Sequence, residues 1–190
     1  MRQKDDNKSE AILKATLELL NEIGLSDISM SQIAKRSKVS QATIYVYFAS
    51  KEEMLGKLYV RVKEKMSRQL LYDLNGTLRM QELCERFMRN SMRYMLDNKE
   101  EFLFMEQFLN SPLVDKLCLE DTSKMFTPLY QFVEKGKQRG EIKQLDTMLL
   151  LTYLYFPVTN LVKAHFKGQS EANEKNLKQI IQLSWDAIKA

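Results

Sequence analysis

The sequence predicts an all-α protein, and three observations carry that expectation. Only three prolines and six glycines interrupt 190 residues, of which 44% are hydrophobic, with Leu, Lys, Glu and Met abundant. Apolar side chains recur every three or four positions along most of the chain, the period of a helix that buries one face. Residues 29–55, SMSQIAKRSKVSQATIYVYFASKEEML, place helix-start signals on both sides of a short turn. The expected architecture is an N-terminal three-helix head with a helix-turn-helix, followed by a helical C-terminal body, about nine helices together.

Ile12, Ala15, Leu19, Leu20 and Ile23 describe a first helix, and Gly24 follows as its stop. Ser29 with Gln32 three residues later forms a capping box, each side chain satisfying an amide that the first turn leaves unpaired. Ile33 and Ala34 face inward, and the small Ala34 lets a second helix cross closely. Val39 is the apolar residue of the turn. Ser40 caps the next helix, about Gln41 to Phe48, whose inner side is Ile44 and Phe48. Ser50 with Glu53 opens a long helix from Lys51 to about Leu74, striped by Met54, Leu58, Val62 and Met66 and broken at Asn75-Gly76.

Leu83, Phe87, Ser91 and Met95 mark another helix, and a shorter one runs from about Lys99 to Asn110 before Ser111-Pro112. A further helix is expected from about Asp115 to the Gly136–Gly140 segment. Asp146 can cap a helix to about Phe166, and Ser170 one to Lys189. Leu150, Leu151, Leu154, Leu161 and Val162 give the first of this last pair a wide apolar face. Leu177, Ile180, Ile181, Ser184 and Ile188 do the same for the second. There is no internal repeat and no low-complexity segment.

Charge and composition narrow the function. The net charge is +4, and residues 35–68 hold nine basic and three acidic side chains, so that stretch alone is +6 and the remainder −2. A basic head on a slightly acidic body is the footprint of a DNA binder, although some of these lysines and arginines simply solvate a helix face. No apolar run reaches the ~18 residues that span a bilayer. The opening MRQKDDNKSE lacks an apolar signal-peptide core, so a cytoplasmic location is expected, with no membrane partner. Cys84 and Cys118 are isolated and expected to be reduced, buried thiols.

Catalysis has little to stand on. The one histidine, His165, lies between Lys163 and Lys167 near a helix end. There is no HExxH, no GxSxG, no phosphate-cradling glycine loop and no metal-ligand cluster, so no cofactor or metal is expected. Glu52-Glu53 sits in a first helical turn, where the macrodipole favours negative charge. The expectation is a non-enzyme.

The stretch around residues 29–55 closely resembles the DNA-binding head of the TetR family of bacterial transcriptional regulators. The matching elements are Ile33-Ala34, Val39-Ser40, Thr43-Ile44-Tyr45, Tyr47-Phe48 and Ser50-Lys51-Glu52-Glu53. Detailed resemblance covers roughly residues 9–60; beyond that, length and helical plan are similar. The resemblance implies residues 1–50 as the DNA-binding domain, completed by the first turn of the long helix at 51–55. Residues 51–190 would then form an effector-binding and dimerisation domain. Two departures stand out. Lys38 occupies the turn position where the family usually has glycine, and Ala42 a position where glycine is common. A left-handed Lys38 would cost about 1–2 kcal/mol, so a differently shaped turn is expected.

On the matched positions, Tyr45, Tyr47 and Lys51 would bind phosphate, as two hydroxyls and an ammonium beside a helix N-terminus can. Ser40, Gln41, Ala42 and Thr43 open the recognition helix, Gln41 suiting adenine. Val46, outside the core row of Ile44, would touch a thymine methyl. Core packing is the competing reading for both tyrosines.

The middle of the chain is rich in Met and aromatic residues. These residues fall where proteins of the TetR family build an effector pocket, so the resemblance implies one lined by Met88, Met92, Met95, Phe104, Met105, Phe108, Met125 and Tyr130, with Asn90, Gln107, Thr152 and Asn160 as candidate anchors. Ordinary core packing accounts for many of these residues. Pro157 removes a helical hydrogen bond from the Tyr153 carbonyl and invites a kink. The resemblance implies that the last two helices pair with a second copy, with Leu154, Leu161, Leu177, Ile181 and Ile188 in the seam, the competing reading being that the pair covers its own core. The resulting expectation is a homodimeric regulator of a double-stranded DNA operator, a repressor released by a small hydrophobic effector. The alternative is a regulator controlled by a protein partner, or constitutive, with a solid core.

Overall fold

The computed structural model describes residues 2–112 and 120–190. Its helices are α1 (Arg2–Ile23), α2 (Met30–Ser37), α3 (Gln41–Tyr47), α4 (Lys51–Leu70), α5 (Met80–Asp97), α6 (Lys99–Leu109), α7 (Glu120–Ser123), α8 (Thr127–Gln138), α9 (Thr147–Phe166) and α10 (Glu174–Ile188). A single 3₁₀ turn, Lys124–Phe126, joins α7 to α8. Among the described residues there is no strand, only an isolated bridge between Ile142 and Lys189. Nine of the helices have seven residues or more, as expected, and α7 is one further turn. The expected helix start near Asp115, and Cys118, lie outside the described residues.

Packing divides the chain into two units, one of residues 1–64 and 98–121, the other of residues 65–97 and 122–190. The head is therefore larger than residues 1–50, taking in most of α4 and all of α6. The reason is α6's inward face. Phe104, Met105 and Phe108 join Ile12, Leu20, Ile33, Ile44, Phe48, Met54, Leu55 and Tyr59 in one buried cluster. Phe108 stacks on Tyr59 with ring centroids 4.7 Å apart. Thr16 satisfies its buried hydroxyl on the Ile12 carbonyl at 2.8 Å.

In the second unit α5 packs against α9, and both pack against α10. Val158 and Val162 of α9, Leu177 and Ile188 of α10, and Phe87, Met88 and Met95 of α5 are almost wholly buried. Two long-range polar contacts pin the ends of these helices. The Glu141 carboxylate accepts the amide of Met80 at 2.7 Å, capping α5 from outside it. Arg89 bonds Glu174 in the first turn of α10 at 2.7 Å. Burial pushes the Cys84 thiol up to about 12, so it stays protonated and inert.

Two boundaries differ from the sequence reading. α4 ends at Leu70, not near Leu74, because the amide of Asn90 donates to the carbonyls of Leu70 at 3.3 Å and Tyr72 at 2.8 Å, closing that end. α10 is capped by Asn173, whose side chain accepts the Asn176 amide at 2.9 Å, and not by Ser170. Helix α9 runs unbroken through Pro157, which it carries in its interior. Asp146 caps α9 as expected, accepting the Leu149 amide at 3.0 Å.

Candidate nucleic-acid interface

The helix-turn-helix is built by backbone hydrogen bonds and short polar caps. At the start of α2 the Ser29 hydroxyl accepts the Gln32 amide at 3.3 Å, and the Gln32 side chain accepts the Ser29 amide at 2.8 Å. At its end the Val39 amide reaches the Ala34 carbonyl at 3.0 Å, and the Lys38 amide the Lys35 carbonyl at 3.4 Å. That pair of bonds is a Schellman cap, which requires a left-handed residue at its corner. Lys38 supplies it, with φ 57° and ψ 38°. The turn thus keeps the shape that glycine ordinarily allows, contrary to the expectation of a different one. The strain, about 1–2 kcal/mol, is accepted at Lys38. Val39 packs on the head core and anchors the corner.

Ser40 then caps α3 by accepting the Thr43 amide at 3.0 Å, and the Ser40 and Thr43 hydroxyls lie 2.9 Å apart. Ile44 and Phe48 are buried, which turns the opposite side of α3 to solvent. Val46 is 80% exposed and Tyr45 53% exposed. Gln41 and Ala42 are exposed as well, and Thr43 is half-buried. Tyr47 differs from its neighbours: it is half-buried and packs on the head core beside Phe48, so its ring serves the core reading.

The next cap involves Ser50, which accepts the Glu53 amide at 3.1 Å, while Glu53 accepts the Ala49 amide at 2.5 Å. Lys51, half-buried at the start of α4, donates to the Ile28 carbonyl at 2.9 Å.

The head's positive charge is partly neutralised within the chain. Arg36 grips Glu22 with two bonds of 2.7 and 2.6 Å and lies 3.6 Å from Glu18, tying α2 to α1. Those bonds hold the Glu22 carboxyl below its ordinary value and raise Arg36. Lys57 pairs with Glu53 at 2.7 Å and lies over the Phe48 ring, 5.3 Å from its centroid. Arg61 pairs with Glu10. The Lys57–Glu53 pair has the legible i, i+4 spacing. The partners of Arg36 and Arg61 lie on another helix, where spacing gives no signal. Lys35 and Lys38 remain exposed beside α3.

The residues expected at a pocket do not share one unit. Phe104, Met105 and Phe108 are buried in the head core. Met88, Met92, Met95, Met125 and Tyr130 belong to the second unit, where Met88 and Met95 are buried and the other three half-buried. The Tyr130 hydroxyl lies 3.0 Å from the Met148 sulfur. Among the polar anchors, Asn90 is engaged at the end of α4 and Thr152 bonds carbonyls of its own helix. Gln107 is half-buried and Asn160 exposed.

The expected seam residues also lie differently. Leu154, Leu177 and Ile188 are at most 1% exposed within a single chain, and Leu161 and Ile181 are nearly as buried, so they have little surface to offer a partner. The exposed apolar residues of α9 are instead Met148, Leu149, Tyr153 and Phe156, which share a face, and α10 exposes Leu183. Among the described residues no cluster of His, Cys, Asp and Glu could hold a metal ion. No described helix is long and apolar enough to cross a membrane.

Residues 12–58 match the model for bacterial regulatory proteins of the tetR family, and residues 80–189 match that for the tetracyclin repressor-like C-terminal domain. An uncharacterized HTH-type transcriptional regulator of Haemophilus influenzae is 24% identical over 188 residues, covering 99% of each chain. A TetR family transcription regulator from Marinobacter aquaeolei has a crystal structure with a TM-score of 0.91 to this one, at 28% identity over 100% of this chain and 99% of that one. The transcriptional regulator FadR from Bacillus subtilis, solved in complex with stearoyl-CoA, shares the fold with a TM-score of 0.78 at 21% identity, covering 94% and 98%. Head and body each match their own domain of a single family, in the same order along the chain. It belongs to the TetR family of DNA-binding helix-turn-helix transcriptional regulators, and is a regulator rather than an enzyme.

Proposed function

We propose that the chain is a homodimeric repressor that holds a near-palindromic operator and leaves it when a largely apolar small molecule binds. The exposed face of α3 carries this reading furthest. A helix with Val46 and Tyr45 turned to solvent while Ile44 and Phe48 are buried presents apolar and polar groups outward at no benefit to its own fold. Such a face suits a major groove, with Gln41, Ala42, Thr43 and Val46 at base edges. Ser40 would stand with them at that end of the helix, and Tyr45, Tyr47 and Lys51 would lie beside phosphates, Tyr47 reaching one only by its hydroxyl because its ring is held in the core.

Two such helices must be about 34–36 Å apart to enter successive major grooves on one side of the duplex. The solvent-facing side chains Met148, Leu149, Tyr153, Phe156 and Leu183 are the surface proposed to join the two copies. A ligand that prefers a conformer with altered spacing weakens DNA binding by its difference in affinity. Helix α4 is the proposed lever, since the head holds its residues to Glu64 and the second unit holds the rest. The FadR relative was solved with stearoyl-CoA, a ligand with a long apolar chain, which supports an apolar class of effector.

Thermal shift and DNA release, measured together over a panel of long-chain acyl compounds, test the effector. A ligand that releases DNA must also raise the melting temperature of the DNA-free protein, because binding stabilises the state it prefers. A panel that moves neither favours control by a protein partner.

A further inference from the structure

We propose that Lys38 is a DNA phosphate contact in its own right, and that the strained turn is kept for its ammonium. The inference rests on the reading of α3 as the DNA-facing helix. Lys38 sits at the left-handed corner of the Schellman cap, with φ 57°. The geometry is imposed by the bonds from Val39 to Ala34 and from Lys38 to Lys35, and by Val39 packing on the core. Glycine fits that corner without strain, and asparagine with less than a lysine, so the side chain found there is the costly choice. Backbone strain held in place by its surroundings is a pointer to function, provided the side chain has something to do.

The surroundings of Lys38 say what that is. Its side chain is exposed and makes no bond among the described residues. Elsewhere in the head, Arg36, Lys57 and Arg61 are each paired with a carboxylate. Lys38 lies two residues before Ser40, the N-cap of α3, so its Cα is within about 7 Å of the end of the recognition helix that enters the groove. An ammonium on a four-carbon stem at that place reaches the backbone flanking the groove, with exposed Lys35 three residues earlier beside it. A lysine there would position the head on any duplex without reading sequence.

Three full-length variants test this: Lys38→Gly, Lys38→Asn and Lys38→Arg. Each is melted, and each is titrated against a duplex that the parent has enriched from random DNA, between about 50 and 200 mM salt. Lys38→Gly should melt roughly 2–4 °C higher. It should still lose affinity, its salt slope falling by roughly 0.9 for each protomer bound. Lys38→Asn should lose the same slope, and Lys38→Arg should keep it. A Lys38→Gly protein with the parent's slope shows an idle lysine and overturns the inference while leaving the DNA-binding reading intact. A lower melting temperature in Lys38→Gly, or a Lys38→Arg protein as weak as the glycine variant, also overturns it. A parent whose DNA binding ignores salt overturns both readings together.

Discussion

The ammonium of Lys51 lies 2.9 Å from the carbonyl oxygen of Ile28 and donates to it. The bond joins the first residue of α4 to the buried residue that leads into α2, so one side chain holds two edges of the helix-turn-helix in register. An ammonium has three donors, which leaves two for a phosphate beside the α4 N-terminus.

Lys51→Ala is therefore expected to act twice. Binding should weaken on every sequence, with the salt slope lower by about one unit for each protomer. The DNA-free protein should also lose about 0.5–1.5 kcal/mol of stability, the worth of an ordinary hydrogen bond. Titration at several salt concentrations, beside a denaturant melt, separates the two effects. An unchanged slope would remove Lys51 from the interface and leave it only its structural bond.

Gln41→Ala should do the reverse. Gln41 is exposed at the first turn of α3, so stability should stay within about 0.5 kcal/mol. Preference at one base position should relax by about 1–3 kcal/mol. Competition between duplexes that differ at single positions reads this, and undiminished discrimination would exclude Gln41 from base readout.

The Arg36–Glu22 pair makes the head sensitive to acid. The hydrogen bonds from Arg36 lower the Glu22 carboxyl from its ordinary 4.5. Its contribution is present above that unfolded value and is lost as pH falls through the lower folded one. Arg36→Met should therefore cost stability at pH 7, and progressively less as pH falls below 4.5 through the acid range. Equal losses at pH 7 and through the acid range, measured by denaturant melts, would show that Arg36 acts through its stem and not through its charge.

Dimer formation gives a contrast between two kinds of substitution. Phe156 is 52% exposed and Leu183 69% exposed, so Phe156→Asp and Leu183→Asp should yield folded monomers. Ile181 is 9% exposed within one chain, and Ile181→Asp should instead unfold the body, because it buries an unpaired charge. Sedimentation at micromolar concentration, with circular dichroism, distinguishes these outcomes. Two exposed-site variants that remain dimeric would place the interface elsewhere.

What could be read from the sequence was local. Ser29 with Gln32, Ser40 before Thr43 and Asp146 before Leu149 act within a single turn, and each cap stands where spacing places it. The inner faces of α3 and α4 followed from helical period alone. What escaped depends on distant partners. Phe104 and Phe108 show a helical stripe, but nothing in it says that the stripe belongs to the head core. The ion pair between Arg61 and Glu10 spans two helices. Period likewise identified the apolar faces of α9 and α10, yet both helices carry apolar residues on more than one side. Their most regular stripe is the one that a single chain buries, which leaves Phe156 and Leu183 outside. At Lys38 a conformational preference gave the wrong shape because two backbone bonds outweigh it.

Enrichment of the full-length chain's bound duplexes from random DNA, followed by titration of the recovered sequence against salt, tests the central claim most directly. The expected product is an inverted repeat whose half-site centres lie about 10–10.5 base pairs, or a multiple, apart. Its affinity should fall steeply with salt, and Gln41→Ala should blur one position in each half-site. Enrichment of no sequence, or of a single unrepeated site whose recognition is indifferent to substitutions in α3, would contradict the account.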